Sequence, residues 1–186
     1  MSENDNNTLI VDKSGNIHVP SSLRKFNLDL SALEDDGIDV YFNNINNNVE
    51  KVKSISLCHS PLTPKSQISV LSFILLDRPF RYLADLDLSY MNIPDICLNY
   101  LCEYLSPFTG GYNISRLNVS RCNLGSHGTS KLLESLYANN TIQDILLTGN
   151  ECEDICIPTL ITMLTKYTNQ IQTLALGGNN ITSKGM

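Results

Sequence analysis

The residues best suited to nucleophilic or metal chemistry are the cysteines, and their spacing argues against both uses. Cys97 and Cys102 are separated by four residues and Cys152 and Cys156 by three, so neither pair has the Cys-x-x-Cys spacing of structural zinc sites. Cysteines without such a pattern most often serve as small buried side chains. We therefore expect free thiols in a reducing compartment. The six are Cys58, Cys97, Cys102, Cys122, Cys152 and Cys156.

The histidines and glycines carry no catalytic pattern either. His18, His59 and His127 lie in different parts of the chain, without a Ser/His/Asp or Cys/His set. Cys58 directly precedes His59, and adjacent residues at one strand end do not form a nucleophile–base pair. No Gly-x-Gly-x-x-Gly or Walker sequence is present to bind a phosphate. We predict no catalytic residue, no metal, no cofactor and no enzymatic activity.

The composition excludes several broad classes of protein. The chain has 186 residues, 42% of them hydrophobic, and a net charge of -6, as in an ordinary globular protein. Excess acid argues against a nucleic-acid partner, and no apolar stretch is long enough to cross a membrane. The N-terminus is polar and acidic, unlike a secretory signal. We therefore expect a protein of the cytoplasm or the nucleus.

One apolar pattern recurs six times along the chain. In one copy it runs from Ile114 through Leu117, Val119 and Leu124, and a helix-like spacing continues to Leu136. A strand, a turn and a helix in so short a stretch do not bury their own apolar side, so the copies must stack on one another. The copies begin 28 to 31 residues apart, at Leu23, Val52, Leu83, Ile114, Ile142 and Ile171.

The ninth position of the pattern predicts a role for small polar side chains. There the chain turns inward after the strand, and a small polar group can bond the buried backbone of the turn. Met91 is the exception, which leaves two alternatives: the register slips by one residue onto Asn92, or this turn lacks a side-chain bond. The other residues at this position are Ser31, Ser60, Cys122, Asn150 and Asn179.

The pattern Leu-x-x-Leu-x-Leu-x-x-Asn/Cys-x-Leu followed by a helix resembles the leucine-rich repeat. It is clearest from Ile142 to Asn150 and from Ile171 to Ile181. The length of the unit resembles the ribonuclease-inhibitor-like class, and the resemblance covers residues 23–186. It implies an α/β fold: a right-handed solenoid, shaped as a horseshoe arc of about six repeats, with a parallel sheet on the concave face and helices on the convex face. Members of this class share a binding surface rather than one activity.

The two ends of the chain carry separate expectations. Residues 1–8 are polar and are expected to be disordered. Residues 9–22 hold two short β-like runs around the turn sequence Asp12–Asn16, which predicts a capping segment in the form of a small hairpin. The sixth repeat is incomplete at Met186, without the polar cap that ends a repeat array. We therefore expect a piece of a longer array, either monomeric or associating edge to edge through the uncapped repeat.

The residues that project from the concave face are the candidates for binding a partner. Position 3 forms a ladder of Asp85, Arg116 and Asp144 about 5 Å apart, which suits either a partner or mutual pairing. Position 8 sets His59, Tyr90 and Arg121 side by side on one rim, as interface anchors or as a solvated rim. The predicted partner-binding residues are His59, Asp85, Asp87, Tyr90, Arg116 and Arg121.

The predicted function is that of a non-catalytic protein–protein interaction module, or scaffold, whose concave face binds a partner protein. The resemblance also implies two alternatives. One is a GTPase-activating regulator of a small GTPase, similar to Ran GTPase-activating proteins, although no residue here matches a catalytic position of that group. The other is a cytoskeletal binder similar to tropomodulin.

Overall fold

The computed structural model is an α/β structure built on one parallel sheet, as the sequence predicts. It describes residues 8–20, 25–45, 49–77, 80–106, 114–137, 139–166 and 170–185. Seven strands lie side by side in the order of the chain, and each neighbouring pair is parallel. The strands are β1 (Thr8–Ile10), β2 (Phe26–Asp29), β3 (Val52–Ser56), β4 (Asp85–Asp87), β5 (Arg116–Asn118), β6 (Asp144–Leu146) and β7 (Thr173–Ala175).

The described residues contain five α-helices, one after each strand from β2 to β6. Those from the second to the fifth pack against one another in chain order. Short 3-10 turns precede the first and the last helix, at Asp35–Gly37 and Asp154–Cys156, and another precedes β3 at Val49–Lys51. The helices are α1 (Ile38–Ile45), α2 (Pro64–Leu75), α3 (Asp95–Leu105), α4 (Gly125–Ser135) and α5 (Ile157–Lys166).

The register of the strands places the fourth position of successive repeats in one buried row. Leu86 pairs with Leu117, and Leu117 pairs with Ile145. All three side chains are fully buried, in a single core with apolar residues of the helices. Because side chains alternate along a strand, the residues on either side of this row point away from the core. We call that side of the sheet the open face; it carries Asp85, Asp87, Arg116, Asn118 and Asp144.

The first repeat differs from the predicted alignment by two residues. The alignment matched Phe26 with Ile55, whereas the structure pairs Leu28 with Ile55 and has an irregularity after Phe26. The predicted start of this repeat, Leu23, lies outside the described residues. Phe26, Leu28 and Leu30 are all buried. Because apolar residues alternate here with the period of a strand, a shift of two leaves the pattern unchanged and the sequence could not reveal it. Ser31 is therefore not the ninth-position residue.

The segment before the first repeat forms a strand that extends the sheet, and the hairpin predicted for residues 9–22 is wrong. β1 pairs in parallel with β2, and residues 17–19 belong to no strand among the described residues. The predicted turn does form, because the Asp12 carboxylate accepts the backbone N–H groups of Ser14 and Asn16, both at 2.9 Å. Gly15 packs so closely on Gly37 that no Cβ would fit there. This contact fixes the turn to the first repeat.

Of the residues predicted to disorder, 1–7 lie outside the described part of the chain, while Thr8 begins β1.

The ninth-position side chains bond the backbone of neighbouring turns in the later repeats. Asn150 accepts the N–H of Cys122 at 3.0 Å and donates to the carbonyl oxygens of Val119 at 2.7 Å and Leu147 at 3.1 Å. Asn179 accepts the N–H of Asn150 at 2.9 Å in the next turn. These amides satisfy buried and partly buried backbone groups of adjacent turns, so they join consecutive repeats.

Met91 does not cause a slip of the register. Leu86 still pairs with Leu117, the Met91 side chain is 1% exposed, and Asn92 points to solvent. The second of the two alternatives left by the sequence therefore holds: the register is kept, and the turn of the third repeat has no polar side chain at the ninth position. The thioether occupies core volume there, as flexible Met side chains commonly do.

Candidate functional site

One equivalent position in the turns after β3, β4, β5, β6 and β7 has a left-handed backbone conformation, and in three of these five turns the residue there is not glycine. The φ angle is 59° at His59, 62° at Tyr90 and 56° at Arg121, while Gly149 and Gly178 take 68° and 65° at the same position. Glycine adopts this conformation freely, whereas a bulky residue there is uncommon and costs on the order of 1–3 kcal/mol. Because the fifth and sixth repeats make the turn with glycine, the fold does not require the three larger residues.

The three larger residues form a continuous stack, which we call the edge stack: His59, Tyr90 and Arg121. The rings of His59 and Tyr90 are stacked, with centroids 3.9 Å apart and planes inclined by 22°. The Arg121 Cζ lies 5.3 Å from the centre of the Tyr90 ring, within the range of a cation–π contact. All three are exposed, Tyr90 by 47%. The structure thus brings together the trio predicted for one rim.

An ion pair lies on the open face at the start of β4 and β5, whereas the edge stack follows the ends of these strands. Arg116 Nη1 lies 3.2 Å from Asp85 Oδ2, with the two side chains 45% and 36% exposed. Partial burial raises the pKa of Asp85, and the positive charge of Arg116 offsets this only in part. Asp144 lies on the other side of Arg116 in the strand register. A pair this exposed stabilises the fold by roughly 0–1 kcal/mol. Its charged atoms remain accessible to a partner.

Asp87 has a structural task in addition to its predicted one. Its carboxylate accepts the backbone N–H of Ser89 at 2.9 Å, and Asn118 accepts that of Ser120 at 3.1 Å in the next repeat. Both side chains therefore fix the turn that presents the left-handed residue. Within the described part of the chain, the other carboxylate oxygen of Asp87 accepts no hydrogen bond. Asp87 is half-buried beside Asp85 on the open face.

Sequence reasoning missed a second aromatic–cation pair at the opposite end of β4. The ammonium of Lys25 lies 4.5 Å from the centre of the Tyr82 ring, and Tyr82 is 53% exposed. Tyr82 directly precedes Leu83, the first apolar position of the third repeat. The repeat pattern does not predict which way the side chain of a residue before that position points. The available signal was a tyrosine directly before this apolar position. One exposed tyrosine therefore precedes β4 and another follows it.

Burial makes two of the thiols poor nucleophiles. Burial raises the pKa of Cys97 to about 11 and that of Cys122 to about 12, so both stay protonated at neutral pH. The structure pairs Cys152 with Cys156, which we had expected to be separate free thiols. Within the described residues, no three His, Cys, Asp or Glu side chains cluster as a metal ion would require.

No described helix has both the length and the apolar character to span a membrane.

Comparison with known proteins gives relatives of the leucine-rich-repeat type. The chain is 32% identical over 142 residues, 73% of its length, to mouse (Mus musculus) "NACHT, LRR and PYD domains-containing protein 9C". It is 27% identical over 156 residues, 84% of its length, to rat (Rattus norvegicus) "NACHT, LRR and PYD domains-containing protein 3". These matches span 13% and 15% of the two relatives. No protein-family model matches the chain.

Proposed function

We propose that this chain is a non-catalytic protein-binding module of the ribonuclease-inhibitor-like class of leucine-rich repeats. In this proposal the repeats form a right-handed solenoid, and the open face is its concave side. The observation that carries the proposal is the edge stack, in which three bulky residues keep an unfavourable backbone conformation and remain exposed. Since glycine makes the same turn in later repeats, partner binding gives a reason for the larger side chains.

The chemistry of this surface suits a folded protein partner. Tyrosine and arginine are the side chains that most often contribute large binding energies at protein interfaces. Tyr82 and Tyr90 lie at the two ends of β4, and Asp85 and Asp87 lie between them on the open face. This arrangement offers two aromatic contacts with charged groups between them. Charges of both signs on one face favour a partner with a specific complementary pattern over a uniformly charged polymer.

The proposal is tested with two charge reversals that alter the net charge equally. Arg121→Glu changes the edge stack, and Lys65→Glu changes an exposed position on α2, away from the open face. Proteins captured on the wild-type chain would be identified by mass spectrometry, and binding of each purified partner would then be measured. We expect Arg121→Glu to abolish binding and Lys65→Glu to preserve it. Unchanged binding after Arg121→Glu combined with Arg116→Glu would remove the open face from the proposal.

The activity proposed here is binding alone, and the GTPase-activating alternative has a direct test. GTP hydrolysis by a small GTPase such as Ran would be followed with and without the chain, and we expect the same rate. Acceleration would contradict the non-catalytic proposal. Co-sedimentation with actin filaments tests the cytoskeletal alternative in the same way, and we expect none.

The remaining elements of the proposal concern assembly and location. We propose a monomer in the cytoplasm or nucleus that binds neither nucleic acid nor membrane, with association through β7 as the route to larger assemblies. Among the described residues β7 has a strand on one side only, and Leu174 within it and Leu176 directly after it are only partly buried. An unpaired strand edge readily accepts another strand. Sedimentation over a range of concentrations tests this, because edge association gives a mass that rises with concentration.

A further inference from the structure

Two arginines of the fourth repeat are in different electrostatic states. Arg116 is paired with the carboxylate of Asp85 at 3.2 Å. Arg121, five residues later, is exposed, and no carboxylate among the described residues forms an ion pair with it. The guanidinium of Arg121 therefore keeps its hydrogen-bond donors available, although it lies on a chain with an excess of acidic residues.

The side chain of Arg121 is held in place at both ends. A Cβ on Gly149 would lie only 3.0 Å from the Arg121 Cγ, so the aliphatic part of Arg121 rests over the glycine of the next repeat. At the far end, the guanidinium carbon lies 5.3 Å from the centre of the Tyr90 ring. His59 stacks on that ring in turn and supports it. Because the Arg121 side chain is already oriented, binding a ligand costs less conformational entropy.

The geometry points to a carboxylate as the ligand of this guanidinium: we propose that Arg121 binds the side chain of an Asp or Glu residue of the partner protein. A planar guanidinium presents its N–H groups in a fork that matches a carboxylate. Asp85, Asp87 and Asp144 on the adjacent open face repel a doubly charged phosphate more than a singly charged carboxylate. This inference rests on the proposed function, since it names the group of the partner that the edge stack takes.

The test uses the whole chain and acetate as the probe. The side-chain Nε–Hε signals of Arg121 and Arg116 would be followed by NMR during titration with acetate, with acetamide as an uncharged probe of the same shape. We expect a saturable shift at Arg121 with acetate, at least about fivefold larger than at Arg116, whose Nη1 is already bonded to the Asp85 carboxylate. Equal shifts at the two arginines, or an equal response to acetamide, would overturn the proposal.

Two further measurements separate the alternatives. Inorganic phosphate is titrated in the same way, and a stronger response than to acetate overturns the assignment to an acidic side chain. In Arg121→Lys, which keeps the charge but not the fork, we expect the acetate-induced shift of the Gly149 backbone N–H to fall by at least about fivefold. An unchanged shift in this variant also overturns the proposal.

The binding function and the carboxylate assignment can fail separately. If partner capture depends on the open face but Arg121 does not respond to acetate, the module binds its partner through other groups. If Arg121 responds to acetate but the wild-type chain captures no protein, the carboxylate site stands and the proposed function is wrong. If capture occurs but is unaffected by Arg121→Glu, the assignment of this site to a partner carboxylate is overturned.

Discussion

The carboxylate of Asp154 accepts two hydrogen bonds from Thr182 of the following repeat, from the backbone N–H at 2.7 Å and from the hydroxyl at 2.6 Å. Asp35 binds Thr63 in the same way, at 3.0 Å and 2.7 Å. Each carboxylate stands at the start of a 3-10 turn and joins one repeat to the next. The two pairs therefore act between repeats rather than within one helix.

These pairs predict that stability falls in acid. Hydrogen bonds from Thr63 and Thr182 lower the pKa of Asp35 and Asp154 below the ordinary value of 3.8. A carboxyl whose pKa is lower in the folded state stabilises the fold above its unfolded pKa, and this contribution is lost as the pH falls through the folded pKa. We expect Thr182→Val to reduce the free energy of unfolding at neutral pH, and the deficit to shrink below about pH 3.8.

Urea denaturation at about pH 7 and about pH 3 measures this effect. Thr165→Val is the matched control, since its hydroxyl donates to the backbone oxygens of Ile161 and Thr162 within α5 and to no carboxylate among the described residues. A deficit for Thr182→Val that is independent of pH would show that the carboxylate does not act through its charge.

Asn150→Ala should be among the most destabilising single changes to a polar residue. The side chain is fully buried and bonds the backbone of its own turn and of the preceding one. Removing it leaves buried N–H and C=O groups without partners, at a cost of about 1–3 kcal/mol each. Denaturant unfolding should therefore show a loss of about 3 kcal/mol or more. Asn92→Ala, at an exposed position of the same residue type, should be nearly neutral.

Leu117→Ala tests the buried row that joins the repeats. Leu117 is fully buried between Leu86 and Ile145, so truncation leaves a cavity in the centre of the core. We expect a loss of about 2–5 kcal/mol in the free energy of unfolding. Gln172→Ala, an exposed position beside β7, should change it by less than about 0.5 kcal/mol. Similar effects of the two substitutions would contradict the stacked core.

Tyr90→Gly separates binding from stability. The substitution removes the strain of φ 62°, worth about 1–3 kcal/mol, and also removes the stacking contacts, worth about 0.5–1.5 kcal/mol. We expect thermal and denaturant unfolding to show a variant about as stable as the wild type, while partner capture is lost. A large loss of stability would mean that the edge stack serves the fold.

The candidate site could be predicted from the sequence in outline. The repeat pattern placed His59, Tyr90 and Arg121 at one equivalent position, and the structure stacks them. It did not reveal their left-handed backbone, because φ at a turn depends on how the preceding strand and the following coil are held. Nor did it reveal the pairing of Lys25 with Tyr82, which joins the first repeat to the end of the second.

The sequence by itself determined the period of the repeat and the rows of buried residues, because apolar spacing depends only on local geometry. The α/β class and the parallel sheet were what the resemblance to leucine-rich repeats implied. Only the tertiary structure decided the register of the first repeat and the parallel course of β1. It also decided that Arg116 forms an ion pair with Asp85 while Arg121 stacks on Tyr90. Leu28 pairs with Ile55 although Phe26 fits the pattern equally well, since packing of the whole repeat chooses between two equivalent registers. Contacts between distant residues, such as those of Gly15 with Gly37 and of Arg121 with Tyr90, arise only once the chain is folded.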